Sequence, residues 1–224
     1  MASNSENDNE TIVTIDVGGT IFKTFKSTIE IYPDSLFSKD VERKGNTLFY
    51  DRDPKRFRYI LNFMRDGNKV VFPRDRTVLR EIIVEAEYYN MERLQNHAKD
   101  AFPVTVNFVG HKGSVLTYTE PVCLFNTRER GSRLALLARV HGEAGIPLNL
   151  YENEIPGFSP DNFRLVLEYL RFGPKRIVGE YQKQLQSMPT KFLNYWGLHG
   201  LVKLRSKQHV ERVRKLSHSI SMPE

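Results

Sequence analysis

The chain has 224 residues, 40% of them hydrophobic and 27% charged, with 33 Lys and Arg against 27 Asp and Glu for a formal charge of +6. That length suits two domains of about a hundred residues each, and no run of about eighteen apolar residues exists to span a bilayer. The single Cys123 excludes an internal disulfide and a thiolate zinc cluster. The six histidines show no pairing at metal-ligand spacing, so neither metal nor cofactor is expected.

Residues 1–10 are polar and acidic and lack the apolar stretch of a signal peptide, so a disordered leader is expected there. Thr11 to Val17 alternates as a strand does, and Gly18-Gly19 turns the chain into a second strand, Thr20 to Phe25. Two glycines that both tolerate positive φ are a hairpin signal. A strand follows them rather than a helix N-terminus, so Val17-Gly18-Gly19-Thr20 is not read as a phosphate loop. Ser27-Thr28-Ile29-Glu30 has the form of a capping box opening a short helix, which Pro33 ends or bends. Ser35-Leu36-Phe37 begins another helical turn, and Asn46 to Tyr50 reads as a third strand.

The stretch Asp51 to Gly67 carries a helix with both ends written in. Asp53 supplies the N-cap and Pro54 the first helical position. Phe57, Ile60, Leu61 and Met64 fall at i, i+3, i+4 and i+7 as one apolar stripe, and Gly67 closes the helix. Arg58, Asn62, Arg65 and Asp66 lie on its wet face. A strong helix follows from about Thr77 to Tyr89, with Leu79, Ile82, Ile83 and Ala86 as its core face. Asn90 breaks it, and Met91 to Ala98 adds a shorter helical piece. Strands that lead and helices that follow suggest an α+β unit with helices packed on a small sheet.

Ala101-Phe102-Pro103 is a joint, dividing a first domain at 11–100 from a second α+β unit at 103–203 and a basic tail at 204–224. Val104 to Val109 is a fresh strand, and Ser114 to Tyr118 pairs with it across Gly110-His111-Lys112-Gly113. Leu134 to Val140 is apolar. Ser159-Pro160 opens a second capped helix, with Phe163, Val166, Leu167 and Leu170 as its stripe and Gly173 as its stop. Three landmarks recur in order: Val13-Thr14-Ile15 as Val104-Thr105-Val106, the Pro54 helix as the Pro160 helix, and Tyr88-Tyr89-Asn90-Met91 as Tyr195-Trp196-Gly197-Leu198. This is the pattern of a diverged internal duplication with longer connections in the second copy.

In the tail, Lys203, Arg205, Lys207, Arg212, Arg214 and Lys215 meet only Glu211 before the last residue. A basic tail suits nucleic acid, acidic lipid or an acidic partner, and equally a solvated helix end. It is the sole support for nucleic-acid binding, which is not the reading adopted. Arg214-Lys215-Leu216-Ser217 matches a basophilic kinase site on a flexible segment, which makes Ser217 a candidate phosphosite. No Gly-x-Ser-x-Gly, His-Glu-x-x-His or phosphate-loop pattern occurs and Cys123 has no base beside it in a motif, so no catalytic residue is assigned.

Residues 12–97 resemble the BTB/POZ fold in its potassium-channel tetramerisation-domain (KCTD-like) form. The motifs are Thr14-Ile15-Asp16-Val17-Gly18-Gly19-Thr20, Tyr32-Pro33-Asp34-Ser35-Leu36, Asp51-Arg52-Asp53-Pro54 through Gly67, and Glu85-Ala86-Glu87-Tyr88-Tyr89. The resemblance implies a non-enzymatic assembly domain that self-associates into rings through polar faces. It also implies a use as substrate adaptor for the cullin-3 ubiquitin ligase, or alternatively as a scaffold on a receptor, channel, cytoskeletal or transcriptional partner without a ligase. Arg58, Asn62, Arg65 and Asp66 become the candidate oligomer interface, with solvated charge as the plainer alternative. Phe37, in the Ser35–Asp40 loop, becomes a candidate cullin contact, with core packing as its alternative. Channel subunits of this kind precede membrane helices and several share an intersubunit zinc; the single Cys123 and the lack of a spanning segment separate this chain from both. A cytoplasmic protein is expected, the nucleus being the alternative. Val109-Gly110 stands in the second unit where Gly18-Gly19 stands in the first, and Gly157-Phe158-Ser159 where Asp51-Arg52-Asp53 does. That unit is therefore expected to assemble differently or not at all.

Overall fold

The structure, a computed structural model, describes residues 11–110, 115–154 and 159–220, with side chains through Glu211. The expected leader, the Gly157-Phe158 pair and the Ser217 side chain lie outside the described part. The chain divides into two compact units, Met1–Phe102 and Pro103–Glu224.

In the first unit β1 (Ile12–Val17) and β2 (Thr20–Phe25) form an antiparallel hairpin in which Val17 faces Thr20. Gly18 and Gly19 turn it at φ 53° and 88°, the left-handed values a two-residue hairpin needs, and the Asp16 carboxylate accepts from Gly19 N at 2.8 Å. Helices α1 (Lys26–Glu30) and α2 (Leu36–Lys44) carry the chain across to β3 (Thr47–Tyr50), which pairs parallel to β1 and gives the order β2-β1-β3. The capping box expected at Ser27 does not form. The helix starts earlier, at Lys26, with Phe25 at its N-cap and no side-chain cap, because Lys26 N is held by Thr11 O at 2.8 Å as the chain leaves the sheet. α1 ends at Glu30 with Ile31 as its C-cap, two residues ahead of Pro33, which cannot continue the helix.

Ser35 caps α2 by accepting from Ser38 N at 3.2 Å. Asp53 accepts from Lys55 N at 2.9 Å, and Pro54 opens a 3₁₀ turn (Pro54–Arg56) that runs into α3 (Phe57–Asp66). The stripe Phe57, Ile60, Leu61 and Met64 is buried, and Gly67 ends the helix at φ 58°. α4 (Arg76–Tyr88), capped by Asp75, buries Leu79, Ile82 and Ala86. Ile83, expected on this core face, is only half-buried, and Glu85 takes the buried position. Tyr89 follows, fully buried and stacked on Phe37 at 4.4 Å. α5 (Glu92–Asp100) completes the unit.

The second unit repeats this plan. β4 (Pro103–Val109) and β5 (Val115–Pro121) form an antiparallel hairpin, and after α6 (Val122–Asn126) and α7 (Arg133–Ala144) β6 (Leu148–Tyr151) pairs parallel to β4. The order β5-β4-β6 has the same pairing senses as β2-β1-β3. Ser132 caps α7 from Ala135 N at 3.1 Å, as Ser35 caps α2. Ser159 caps α8 (Pro160–Phe172), whose Phe163, Val166, Leu167 and Leu170 are buried. α9 (Glu180–Ser187) and α10 (Thr190–Trp196) then lead to α11 (His199–Ile220).

The third landmark also superposes in kind. Asn90 takes φ 54° and donates its amide to Asp34 O at 2.7 Å; Gly197 takes φ 70° and lies against Ser132 and Arg133. Met91 N bonds Ala86 O at 2.8 Å and Leu198 N bonds Leu193 O at 2.9 Å. In both units a left-handed residue after a helix therefore seats the serine-capped N-terminus of an earlier one. Residues 204–220 continue α11 as helix, the helix end among the readings of the basic tail, and Leu201 in its first turn is buried in the core.

Candidate functional site

The four residues singled out on α3 share one outward face. Arg58, Arg65 and Asp66 are exposed and Asn62 is half-buried. Arg65 reaches back to the edge of the sheet and donates to Lys23 O at 2.9 Å. There it joins Ile12, Lys23, Thr24, Phe25 and Thr28 around a cavity of about 380 Å³. The fold thus brings Arg65 to strands β1 and β2, whereas Arg58 and Asp66 stay apart from that cavity. Phe37 sits in the core at 0% exposure, in contact with Tyr50, Phe57 and Tyr89 rings. It is core packing and presents no surface to a partner.

The helices cover one face of the β2-β1-β3 sheet, and the other carries three rows. Ile12 faces Phe25; Lys23, Thr14 and Thr47 make the second row; Ile21, Asp16 and Phe49 make the third. Ile12, Ile21, Phe25 and Phe49 are 52–62% exposed. These four large apolar side chains stand toward the corners of the open face, with Lys23, Thr14, Thr47 and Asp16 among them, and such a mixed exposed face is offered for interaction. Sequence reading missed them, although the signal was present. In β1 the buried phase is Val13, Ile15 and Val17, so Ile12 belongs to the outward phase, and in β3 Phe49 stands in the same way between buried Leu48 and Tyr50.

Beside the hairpin, the Asp51-Arg52-Asp53-Pro54 segment forms a second polar centre. The Arg52 guanidinium forks onto Glu85, Nε to Oε2 at 3.3 Å and NH2 to Oε1 at 2.5 Å, and lies 4.5 Å over the Tyr88 ring. The hydrogen bond to Glu85 raises the already high pKa of Arg52. Arg56 pairs with Glu81, and a cavity of about 310 Å³ opens between this pair, Asp53, Arg80 and Val84. A planar fork that both bridges a carboxylate and stacks on an aromatic ring is poorly replaced by lysine. A double-mutant cycle of Arg52→Lys and Glu85→Gln is expected to give a coupling of about 1–3 kcal/mol in urea unfolding. Additive effects would mean that the pair contributes nothing beyond its separate residues.

Among the described residues no group of three His, Cys, Asp or Glu side chains is placed to hold a metal ion, and no helix is long and apolar enough to cross a membrane. The chemistry these surfaces offer is docking: an apolar patch, a guanidinium at its border, and polar side chains on the adjoining helix.

Comparison with known proteins agrees with this architecture. Residues 13–101 match the BTB/POZ domain family, so the first unit is a BTB/POZ domain, a protein-interaction module of a kind that self-associates. An uncharacterized protein of Caenorhabditis elegans is 34% identical over 93 residues, which cover 38% of this chain and 35% of the relative. The match therefore spans about a third of that relative's length.

Proposed function

We propose that this protein is a non-enzymatic adaptor of the KCTD-like kind, which self-associates through its BTB/POZ unit and selects a partner with a second unit that is a diverged copy of the first. The observation that carries it is the open sheet face of Ile12, Ile21, Phe25 and Phe49 bordered by Arg65. The duplication reading is supported by the shared strand order, the paired serine caps and the left-handed Asn90 and Gly197. A bridge to the cullin-3 ubiquitin ligase in the cytoplasm or nucleus is one use. The burial of Phe37 removes the anchor assigned to that contact, which favours the second reading, a scaffold on a receptor, channel, cytoskeletal or transcriptional partner without a ligase.

Sedimentation of the full chain at tens of micromolar tests the assembly. The expected mass is a multiple of the 26.1 kDa chain, and Ile21→Lys with Phe49→Lys is expected to return it to one chain without unfolding, since both side chains are exposed. A wild-type monomer would end the proposal. Mixing the assembled protein with cullin-3 then separates the two uses: no affinity at micromolar concentration leaves the scaffold reading.

A further inference from the structure

The second unit provides its own control for reading surfaces, because α7 occupies the place of α2. Both helices are capped by a serine accepting from the third following N–H. Counting from those caps, Phe37, Ser38 and Val41 correspond to Leu134, Ala135 and Ala138, and all six are buried. The outward row then reads Lys39 and Arg43 on α2 but Leu136 and Val140 on α7. Leu136 is 59% and Val140 63% exposed, one helical turn apart on one face. Two solvated cations in one copy have become two exposed aliphatic side chains in the other, on a helix whose packing against its own core is otherwise preserved.

The surroundings of this row are basic. Arg130 and Arg133, both exposed, stand at its N-terminal end, with Arg133 held over the Tyr195 ring at 4.3 Å. The one carboxylate on α7, Glu143, is already engaged by Arg139 at 3.0 Å. The wider unit has the same sign: residues 1–102 carry a formal charge of −1 and residues 103–224 carry +7. An apolar row of i, i+4 spacing with two cations at its N-terminal end suits an amphipathic helix whose apolar residues meet Leu136 and Val140 and whose acidic residues meet Arg130 and Arg133.

We propose that the outward face of α7 is a docking surface for an acidic amphipathic helix of a partner protein. The proposal holds whether or not the first unit self-associates, and the two are read separately. The test uses the full chain and a fluorescein-labelled helical peptide of about 18 residues with Leu at i, i+4 and i+7 and Glu on its flanks. A second peptide carries Lys in place of Glu. The acidic peptide is expected to bind with a Kd of about 10–100 µM and to weaken as salt rises from about 0.05 to 0.5 M. The basic peptide is expected not to bind. Leu136→Gln with Val140→Gln should weaken binding about tenfold or more, and Arg130→Glu with Arg133→Glu similarly, with circular dichroism unchanged.

Equal binding by these variants, or equal binding of both peptides, would overturn the proposal. So would a fall in oligomer mass caused by Leu136→Gln with Val140→Gln, which would assign the face to a second copy. A drop of about 5 °C or more in the melting midpoint of that variant would assign it to contacts within the folded chain instead.

Discussion

Gly18→Ala is expected to destabilise the BTB/POZ unit by about 3 kcal/mol or more, whereas Gly19→Ala next to it costs about 1 kcal/mol, both read from urea unfolding. The two glycines share the left-handed conformation, at φ 53° and 88°, so the strain of adding a Cβ there is common to both. They differ in space. A Cβ on Gly18 would overlap the Arg52 carbonyl oxygen, while one on Gly19 would meet nothing within 4 Å. The obstacle is backbone and cannot swing aside as a side-chain tip could. It is also tied down: Gly18 N and Arg52 N both donate to Tyr50 O, at 3.0 and 2.9 Å. Displacing Arg52 would also pull its fork from Glu85, which adds to the cost. Equal costs for the two variants would show that the hairpin does not press on the Arg52 segment.

Glu129→Ala is expected to destabilise the second unit by about 3 kcal/mol, with Glu129→Gln costing less. Glu129 is buried and accepts from Gly200 N at 2.8 Å and Leu201 N at 3.3 Å. These N–H groups open α11, so a carboxylate there also meets the positive end of the helix. The Tyr169 hydroxyl donates to the same carboxylate, and burial first, then this carboxylate, pushes the tyrosine pKa up to about 12. An unfolded tyrosine loses its proton near pH 10. Between pH 10 and 12 the folded state therefore holds more protons than the unfolded one, and stability falls as pH rises through that window. Glu129→Gln is expected to lower the Tyr169 midpoint in a spectrophotometric titration; an unmoved midpoint would show that burial alone sets it. Gly200 must stay glycine for the same network, because a Cβ there would overlap the Tyr169 hydroxyl and sit 2.6 Å from Glu129 Oε1.

The two units share a strand order but not this cluster. At the equivalent place in the first unit Tyr32 donates its hydroxyl to Phe63 O at 3.0 Å, and Arg93 lies 5.6 Å over its ring. Tyrosine, phenylalanine and arginine stand there in place of glutamate, tyrosine and glycine. The same strand order and serine caps stand beside a full exchange of polar roles, which is why the likeness is legible at caps and turns and not in the middle of the second unit.

Local chemistry was legible in the chain. Asp53 and Ser159 cap their helices and Gly18-Gly19 turns the hairpin, because each depends on partners only a few residues away, and the stripes marked by helical period on α3 and α8 are the buried faces. What the chain did not disclose involves distant residues. Glu85 displaced Ile83 from the buried face of α4 because Arg52, from a segment 33 residues earlier, arrives to pair with it. Phe37 went into the core because Tyr89 closes over it. Strand alternation names the outward phase of β1 and β3, but that the fold leaves this face and the α7 row in water was decided by the packing, since periodicity names the faces of an element and not which of them its neighbours cover. Short-range hydrogen bonding and hydrophobic period are encoded residue by residue; burial of a charge and exposure of an aliphatic row are decided by which elements the fold sets against each other.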